Sequence, residues 1–333
     1  MRFLFLGKGY EEASTRYRVR PVADCLTRRG HQVTFRSTDS GLLSRLQLLI
    51  FASQFDLVFV QRKLFPVWFV AVLRRRVRRL VFDFDDAIFV KSSGAPSKSR
   101  QKKFHAICQA SDLVVAGNQY LSVLAQPWAR LVEVVPTAVR STNYSTNIEK
   151  HSQPTLVWIG SSSTRRYLDL LTPVLDQLAN RHPDLQLKVI ADFDLSLESM
   201  PVKNVRWTQM GEAEELAAST IGIAPMVNNA WTRGKCALKV IQYMAAGLPV
   251  ISDRCGANQE VIVEGETGFL ADNEQDWVDG VSRLLADTEL RKTMGEAGRL
   301  RAETEYQLDS LAEQLGQRLE CLVKSEKENE TEA

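Results

Sequence analysis

Three basic residues and one amide lie close together in the second half of the chain. An α-helix beginning at Gly234 would place Arg233, Lys235 and Lys239 at its N-terminal end. Each cation is unfavourable there by roughly 0.3–1 kcal/mol, because the helix dipole is already positive at that end. A bound anion would offset the repulsion, since free N–H groups at a helix start bind phosphate. The spacing predicts a site for a phosphate-bearing ligand, with Gln242 on the same face to contact its next polar group.

The helix that would carry these residues is bounded by glycine and proline. Gly247 is predicted to end it, and Pro249 follows where a helix cannot continue. Leu238, Ile241 and Ala245 recur at helical spacing and are predicted to face a core. The alternative is a solvated basic helix face packed on a sheet, and the pattern alone does not decide between the two.

A second candidate anion site follows the strand predicted over residues 155–159. Gly160, Ser161 and Ser162 form a short polar loop between this strand and a helix start. Backbone N–H groups in such a loop can cradle a phosphate, and Arg165 could reach the same group.

Two adjacent carboxylates, Asp85 and Asp86, follow the strand predicted over residues 80–84. Ligands of parallel sheets bind beyond the carboxyl ends of the strands, so this pair is predicted to face a cleft. The carboxylates could act as a base, accept a hydrogen bond from a sugar hydroxyl or bind a metal ion. We favour hydroxyl binding and predict no metal site, because a hard cation needs more oxygens. Alternatively, one of them caps the segment after the strand.

Polar residues near other strand ends of the first half are candidates for binding a second substrate. Gly7 and Gly9 lie in the loop after the first strand, which lacks the GxGxxG dinucleotide fingerprint. Arg16 and Arg18 lie in the first turns of the next helix, where they would contact an anion or face water. Asn118 follows a later strand, at the cleft edge.

One stretch combines apolar residues with a dense basic cluster. Residues 64–79 begin at Leu64 with apolar side chains and end at Arg79 in a run of arginines. Such a stretch can lie in an anionic membrane surface, although a buried helix ending in cations is the alternative. Residues 1–138 contain 22 Lys+Arg against 10 Asp+Glu, whereas residues 139–333 contain 20 against 30. Nucleic acid is not an expected partner, because the basic run lacks interleaved aromatic residues and no nucleic-acid-binding motif is present.

The composition is that of a globular protein without disulfides. Of its 333 residues, 44% are hydrophobic and 25% charged, which suits two domains of ordinary size. The five cysteines are scattered and lack metal-type spacing, which favours a reducing compartment. We see no signal peptide and no apolar run of the roughly 18–20 residues that a membrane span needs. The sequence predicts a cytoplasmic protein, peripheral at the inner membrane face if the basic stretch binds lipid.

Strands and helices alternate along both halves, which predicts an α/β protein with parallel sheets. We predict an N-terminal Rossmann-like domain over residues 1–140 and a polar linker over 141–153. A C-terminal Rossmann-like domain is predicted over 154–323, with a last helix that could pack back on the first domain. The charged tail, 324–333, is predicted to be disordered.

The chain resembles glycosyltransferase family 4, a group with the GT-B fold. The resemblance rests on Gly234-Lys235, the run IQYMAAGLPV at 241–250, Gly256, Glu260 and the run ETGFL at 266–270. It covers the C-terminal domain well and the N-terminal domain more loosely, through the glycine loop, Asp85-Asp86 and Asn118.

The resemblance implies two Rossmann-like parallel-sheet domains facing each other across a cleft. It implies transfer of a sugar from a nucleotide-sugar donor to a lipid-linked or polysaccharide acceptor, with retention at the anomeric carbon. Neither a metal ion nor a separate cofactor is implied, since the nucleotide sugar is a substrate. The donor would bind the C-terminal domain and the acceptor the N-terminal domain.

The residue patterns and the resemblance together predict three sets of site residues. The donor set is Gly160, Ser161, Ser162, Arg165, Arg233, Gly234, Lys235, Lys239, Gln242, Gly256, Asn258 and Glu260. The acceptor set is Gly7, Gly9, Arg16, Arg18 and Asn118. The catalytic set is Asp85, Asp86 and Lys235.

The sequence departs from the family pattern at two positions. The pattern has two glutamates eight positions apart, where this chain has Gly234 and Gln242. Gln242 can hydrogen-bond ribose hydroxyls without carrying a charge. Arg233, Lys235 and Lys239 would hold the diphosphate, which carries the charge that develops as the glycosidic bond breaks.

Two other functions are compatible with this pattern. A sugar-nucleotide epimerase of the same architecture would turn over its donor without an acceptor. A non-catalytic binding partner, for which the two absent glutamates argue, would bind the donor tightly but neither transfer nor hydrolyse its sugar.

Overall fold

A computed structural model describes residues 1–38, 42–145 and 152–331. The chain divides into two compact units, each with its own six-stranded parallel sheet. The N-terminal unit comprises Met1–Ala138, Asn229–Cys236 and Leu308–Ala333, and the C-terminal unit comprises Val139–Asn228 and Ala237–Gln307. The predicted α/β class with parallel sheets is confirmed.

The N-terminal sheet has the strand order β2-β1-β3-β4-β5-β6. Its strands are β1 (Arg2–Gly7), β2 (Gln32–Ser37), β3 (Leu57–Gln61), β4 (Arg79–Phe84), β5 (Leu113–Ala116) and β6 (Val132–Val134). Its first helices are α1 (Arg20–Arg28), α2 (Leu42–Ala52), α3 (Val67–Arg76), α4 (Lys98–Ala110) and α5 (Gln119–Ala125). A π-helical turn, Thr15–Val19, leads into α1. Helices α2 to α5 cover one face of the sheet and α1 covers the other.

The C-terminal sheet has the strand order β12-β11-β10-β7-β8-β9. Its strands are β7 (Thr155–Ile159), β8 (Gln186–Ala191), β9 (Val202–Arg206), β10 (Ile221–Ala224), β11 (Val250–Asp253) and β12 (Gly268–Ala271). Its helices are α6 (Arg165–Asp169), α7 (Thr172–Arg181), α8 (Glu212–Ala217), α9 (Leu238–Ala245), α10 (Asn258–Val261), α11 (Glu274–Ala286) and α12 (Thr288–Thr304). Strand β9 is absent from the sequence prediction, because this edge strand is half-exposed and largely polar.

The last helix, α13 (Leu308–Thr331), belongs to the N-terminal unit. Its apolar residues Leu315 and Leu319 are buried against Phe3 and Phe5, on the sheet face that α1 also covers. The last helix thus packs on the N-terminal unit, as the sequence analysis allowed, and the C-terminal unit ends before α13. The predicted disordered tail needs correction, because the helix continues to Thr331 through most of it, and glutamate and lysine are good helix formers.

The segment predicted as a linker, 141–153, is only partly described. A short 3₁₀ helix, Ser141–Asn143, opens it, and residues 146–151 lie outside the described part of the chain. Tyr144 is buried, so the start of the segment is packed against the C-terminal unit to which it belongs.

Candidate functional site

The helix predicted to begin at Gly234 begins at Leu238. A 3₁₀ turn, Thr232–Gly234, comes before it, and Ala237 has a left-handed backbone with φ 52°. That residue breaks the helical path, so the predicted helix start is wrong. Lys239 lies in the first turn of α9, while Arg233 and Lys235 lie before the helix and belong to the N-terminal unit.

Close packing accounts for glycine at position 234. A Cβ on Gly234 would lie 2.6 Å from the Ala87 backbone nitrogen and 2.7 Å from the Ala87 Cβ. No side chain fits at that distance without a backbone shift. The glutamate of the family pattern is therefore excluded sterically, and Gly234 offers a close backbone contact in place of a donor-binding side chain.

Asn118 holds this segment in the N-terminal unit. Its Nδ2 donates to the carbonyl oxygens of Arg233 at 3.2 Å and Lys235 at 3.0 Å. Its Oδ1 accepts from the Leu121 N–H at 2.8 Å and so caps α5. Both ends of the amide are engaged, which contradicts the acceptor-binding role predicted for the Asn118 side chain.

The structure brings the three predicted catalytic residues together with an arginine. Lys235 Nζ lies 3.5 Å from Asp86 Oδ1. Arg62 contacts both carboxylates, with its Nε 3.2 Å from Asp85 Oδ1 and its Nη2 donating to Asp86 Oδ2. Arg62 directly follows β3 and adopts a left-handed backbone with φ 54°, a conformation that costs energy in a non-glycine residue.

The electrostatics of this cluster favour paired charges. Burial raises the pKa of Asp86, and Lys235 and Arg62 oppose that rise. Both Asp86 oxygens already face a cation, so Asp86 holds Lys235 in place. An ammonium group has three donors, which leaves Lys235 able to bind a further oxygen. Hydroxyl binding by Asp85 and Asp86 stays a prediction.

Arg18 is an internal ion-pair partner, which contradicts its predicted contact with an acceptor. Its Nε lies 3.1 Å from both carboxylate oxygens of Asp83, and its Nη1 donates to the Val135 carbonyl at 2.9 Å. Both charged side chains are almost fully buried. The carboxylate within strand β4 needs a buried cation, and the π-helical turn before α1 supplies it.

The remaining acceptor candidates lie at the same edge of the N-terminal sheet as the cluster. Gly7 ends β1, Arg62 follows β3 and Asp85 follows β4, and these three strands are adjacent and parallel. Gly9 lies two residues beyond β1, and Arg16 is half-buried in the π-helical turn. Their acceptor-binding roles stay predictions.

The Lys239 side chain lies at the carboxyl end of β7 in the C-terminal unit. Its Nζ lies 3.9 Å from the centre of the Trp158 ring and 3.4 Å from Thr164 Oγ1. A Cβ on Gly160 would lie 2.2 Å from the Trp158 ring and 2.8 Å from this Nζ, so glycine allows the Trp158 ring to pack against the loop beside the lysine. The predicted loop and the predicted cation of α9 therefore lie next to each other.

Other donor candidates in the loop contact protein groups. The Ser162 N–H donates to Asp192 Oδ1 at 2.7 Å, and this hydrogen bond lowers the pKa of Asp192. Arg165 lies over the Phe193 ring and pairs with Asp169 at 3.4 Å. A carboxylate of the protein therefore occupies the Ser162 N–H, and phosphate binding by the loop stays a prediction. Ser161 donates its N–H to Thr164 Oγ1 at 3.2 Å, which shapes the loop.

The candidates after β11 differ in their exposure. Gly256 has φ 52°, which supports glycine there. Asn258 is buried and its Nδ2 donates to Ser252 Oγ at 2.7 Å, and its donor-binding role stays a prediction. Glu260 is exposed on α10, and its role stays a prediction.

Gln242 lies one turn beyond Lys239 on α9 and is buried. Its Nε2 donates to Glu212 Oε1 at 3.0 Å. Glu212 also accepts hydrogen bonds from Tyr144 and Trp207. The sequence analysis did not identify Glu212, because position 212 lies 30 residues from Gln242.

A cavity of about 630 Å³ lies at the opposite edge of the C-terminal sheet. Pro154, Thr220 and Gly247, which line it, come just before β7, β10 and β11. Its arginines are engaged with backbone carbonyls, as Arg291 is with Leu284 and Leu285. This cavity is therefore separate from the Lys239 site.

Within residues 1–38, 42–145 and 152–331, no three His, Cys, Asp or Glu side chains are arranged to hold a metal ion. No helix in the same residues is long and apolar enough to span a membrane.

Two Rossmann-type units, each with polar groups at the carboxyl ends of its strands, define the GT-B fold. Sucrose-phosphate synthase from Thermosynechococcus elongatus superposes with a TM-score of 0.77 at 16% identity, covering 98% of this chain and 100% of that one. HepE of Anabaena, solved in complex with UDP-glucose, superposes with a TM-score of 0.71 at 13% identity, covering 96% and 100%. These likenesses establish the fold.

Residues 153–287 match the family model described as glycosyl transferases group 1 and form a domain of that family. Spore coat protein SA of Bacillus subtilis is 25% identical over 184 residues, which is 50% of this chain and 48% of that protein. Sulfoquinovosyl transferase SQD2 of Arabidopsis thaliana is 30% identical over 162 residues, which is 45% of this chain and 30% of that protein. The chain thus spans less than half the length of these relatives.

Proposed function

We propose that this protein is a glycosyltransferase. It moves a sugar from a nucleotide-sugar donor to a glycan or lipid-linked acceptor, with retention at the anomeric carbon and without a metal ion. The group 1 domain at residues 153–287 supports this proposal, as do relatives described as glycosyltransferases. The observation that carries it is Lys239, which α9 delivers to the loop at the carboxyl end of β7.

The donor diphosphate binds in the C-terminal unit at this loop. Lys239 provides the positive charge, and Thr164 Oγ1, which accepts a hydrogen bond from its Nζ, holds the ammonium group beside the loop. A fixed cation at the diphosphate stabilises the negative charge that develops as the glycosidic bond breaks, which is the effect a metal ion would otherwise provide. Gln242, on the same face of α9, hydrogen-bonds the ribose.

The acceptor binds at the carboxyl edge of the N-terminal sheet. Asp85, Asp86 and Arg62 form the charged centre of that edge, and Lys235 extends it. Lys235 binds an oxygen of the reacting groups, and Asp86 sets its position. The loop at Gly7 and the half-buried Arg16 lie on the same unit and contribute the remaining acceptor contacts.

A donor screen tests the function. UDP, GDP and ADP sugars are each added to the full chain, and the melting temperature is measured. A ligand at a hundredfold excess over its Kd stabilises the fold by about 2.7 kcal/mol, a clear shift. We expect one base class to stabilise the protein and its sugar to pass to a glycan or lipid-linked acceptor. Stabilisation by none would contradict the proposal, and turnover without an acceptor would indicate an epimerase.

The protein also binds an anionic membrane surface through α2 and α3. Leu46 and Ile50 of α2 are 46% and 64% exposed, and Val67 and Trp68 of α3 are 38% and 46% exposed. The two helices are neighbours on one face of the N-terminal sheet. A large aromatic and three aliphatic side chains on one surface are typical of a face that inserts among lipid headgroups.

The structure separates the arginines of this stretch into two groups. Arg75 and Arg76 are exposed on α3, close to Trp68 in the helical repeat. Arg74 and Arg79 pair with Asp112, with distances of 3.3 and 3.7 Å. We expect this exposed pair to meet the anionic headgroups, whereas Arg78, which is also exposed, pairs with Asp56 at 3.6 Å.

Vesicle binding checks this assignment. Changing Arg75 and Arg76 to Ser should lower the affinity for vesicles of anionic phospholipid about tenfold or more, since each basic residue contributes about 1 kcal/mol near such a surface. Changing Arg28 and Lys324 to Ser removes two exposed cations on α1 and α13, on the other sheet face, and should leave binding unchanged. Equal losses in the two variants would indicate general attraction without a docking face.

A further inference from the structure

Glu212, on helix α8, fixes the orientation of the Gln242 side-chain amide. Its Nε2 donates to Glu212 Oε1 at 3.0 Å, and Glu212 is the buried first residue of α8. An ionised carboxylate only accepts hydrogen bonds, so the amide nitrogen must face it and the amide oxygen must face away. Within the described residues, that oxygen accepts no hydrogen bond and is therefore available to a ligand.

Two further donors fix the carboxylate itself. Tyr144 Oη donates to Glu212 Oε1 at 3.0 Å, and Trp207 Nε1 donates to Oε2 at 2.7 Å. An indole N–H can only donate, so Trp207 requires an acceptor at this place. The position of Glu212 is thus set independently of Gln242.

We propose that Glu212 is a positioning residue for donor recognition. It holds Gln242 with the amide oxygen directed at the ribose, and it supplies from α8 the negative charge that the family pattern places at position 242. This inference rests on the proposed function. It also accounts for glutamine in α9, because a glutamate at 242 would set two carboxylates about 3 Å apart.

The arrangement predicts a preference for ribose over dideoxyribose. The ribose hydroxyls donate to the oxygen of Gln242, and the carboxylate behind the amide polarises it and strengthens those hydrogen bonds. A hydrogen bond of this kind contributes about 1.4 kcal/mol, which corresponds to a tenfold preference.

The test measures the Kd of UDP, GDP and ADP, each beside its 2′,3′-dideoxy counterpart, by calorimetry. In the Glu212→Gln variant, the Trp207 N–H keeps its hydrogen bond to the oxygen of the new amide. The nitrogen of the new amide then faces Gln242, and the Gln242 amide must rotate so that its own oxygen accepts from that nitrogen. We expect the ribose preference to fall threefold or more. Glu214→Gln, an exposed carboxylate on the same helix, should leave the preference unchanged.

A double variant that exchanges the carboxylate and the amide between positions 212 and 242 distinguishes a positioning role of Glu212 from a general packing role. Gln242→Glu alone should lose affinity, because its carboxylate faces Glu212. The double variant Glu212→Gln with Gln242→Glu restores one amide and one carboxylate, and its ribose preference should equal or exceed that of the parent. An unchanged preference in Glu212→Gln, or a double variant no better than either single one, would overturn the inference. Failure of all three diphosphates to bind the parent would instead overturn the proposed function and this inference with it.

Discussion

Gly234 shows how one residue can explain a departure from a family pattern. A side chain at 234 would collide with the backbone of Ala87, so an acid at this position is incompatible with the observed packing. The absence of that acid therefore follows from the way Asn229–Cys236 packs into the N-terminal unit. It does not by itself argue against catalysis.

Gly234→Ala tests this packing. The added methyl group should lower the free energy of unfolding by about 1–3 kcal/mol, because the nearest atoms are backbone and cannot move aside. Urea unfolding measures the change. Gly280→Ala is the control, since its closest neighbour is the end of the Ile251 side chain at 3.3 Å and a helical alanine is favourable. Equal stability of Gly234→Ala and the parent would contradict the packing argument.

The sequence predicts single cations better than it predicts their partners. Lys239 and the Gly160 loop are recognisable because charge and glycine lie next to a strand or helix end. Arg62 and Glu212 are not recognisable, because each acquires its role from a residue distant in the chain. The charged residue inside the apolar strand β4, Asp83, is a usable signal that a buried cation lies opposite.

At the scale of elements, the sequence patterns do not predict where α9 starts, nor that Asn229–Cys236 belongs to the N-terminal unit. Alanine is a strong helix former, yet Ala237 adopts a left-handed backbone just before α9. Contacts of the preceding segment with Asn118 and Ala87 override its propensity. The strands, by contrast, follow from apolar runs alone, except for the polar edge strand β9.

The attachment of α13 to α1 depends on an ion-pair network that predicts a pH effect. Hydrogen bonds from Arg29 and His31 lower the pKa of Glu320 to about 2. A carboxylate with a depressed folded-state pKa stabilises the fold above its unfolded value near 4.5, and this stabilisation is lost as the pH falls toward 2.

Glu320→Gln should therefore lower the free energy of unfolding by about 1–3 kcal/mol at pH 7, and by much less near pH 2.5. Urea unfolding at both values measures the difference. Glu296→Gln, an exposed position on α12, should have little effect at either pH. A loss that does not change with pH would show that Glu320 acts through packing alone.

At the scale of the whole molecule, the alternation of strands and helices was sufficient to predict two parallel sheets. The packing of the last helix on the N-terminal unit was among the predictions, but the return of Asn229–Cys236 to that unit was not predictable, because it depends on tertiary contacts. The excess of positive charge in residues 1–138 is consistent with the proposed lipid-binding face on α2 and α3. The donor site depends on a feature visible in both sequence and structure, which is Lys239 at the end of β7.

Calorimetric titration of the nucleotide-sugar donor into Lys239→Ala is the most direct test of the account. Loss of the cation at the diphosphate should weaken binding about tenfold to a hundredfold, since a charge-assisted hydrogen bond contributes roughly 1.5–3 kcal/mol. Lys292→Ala, an exposed lysine on α12, should bind as the parent does. If Lys239→Ala binds the donor as tightly as the parent, the donor site is not at the end of β7 and the central claim is wrong.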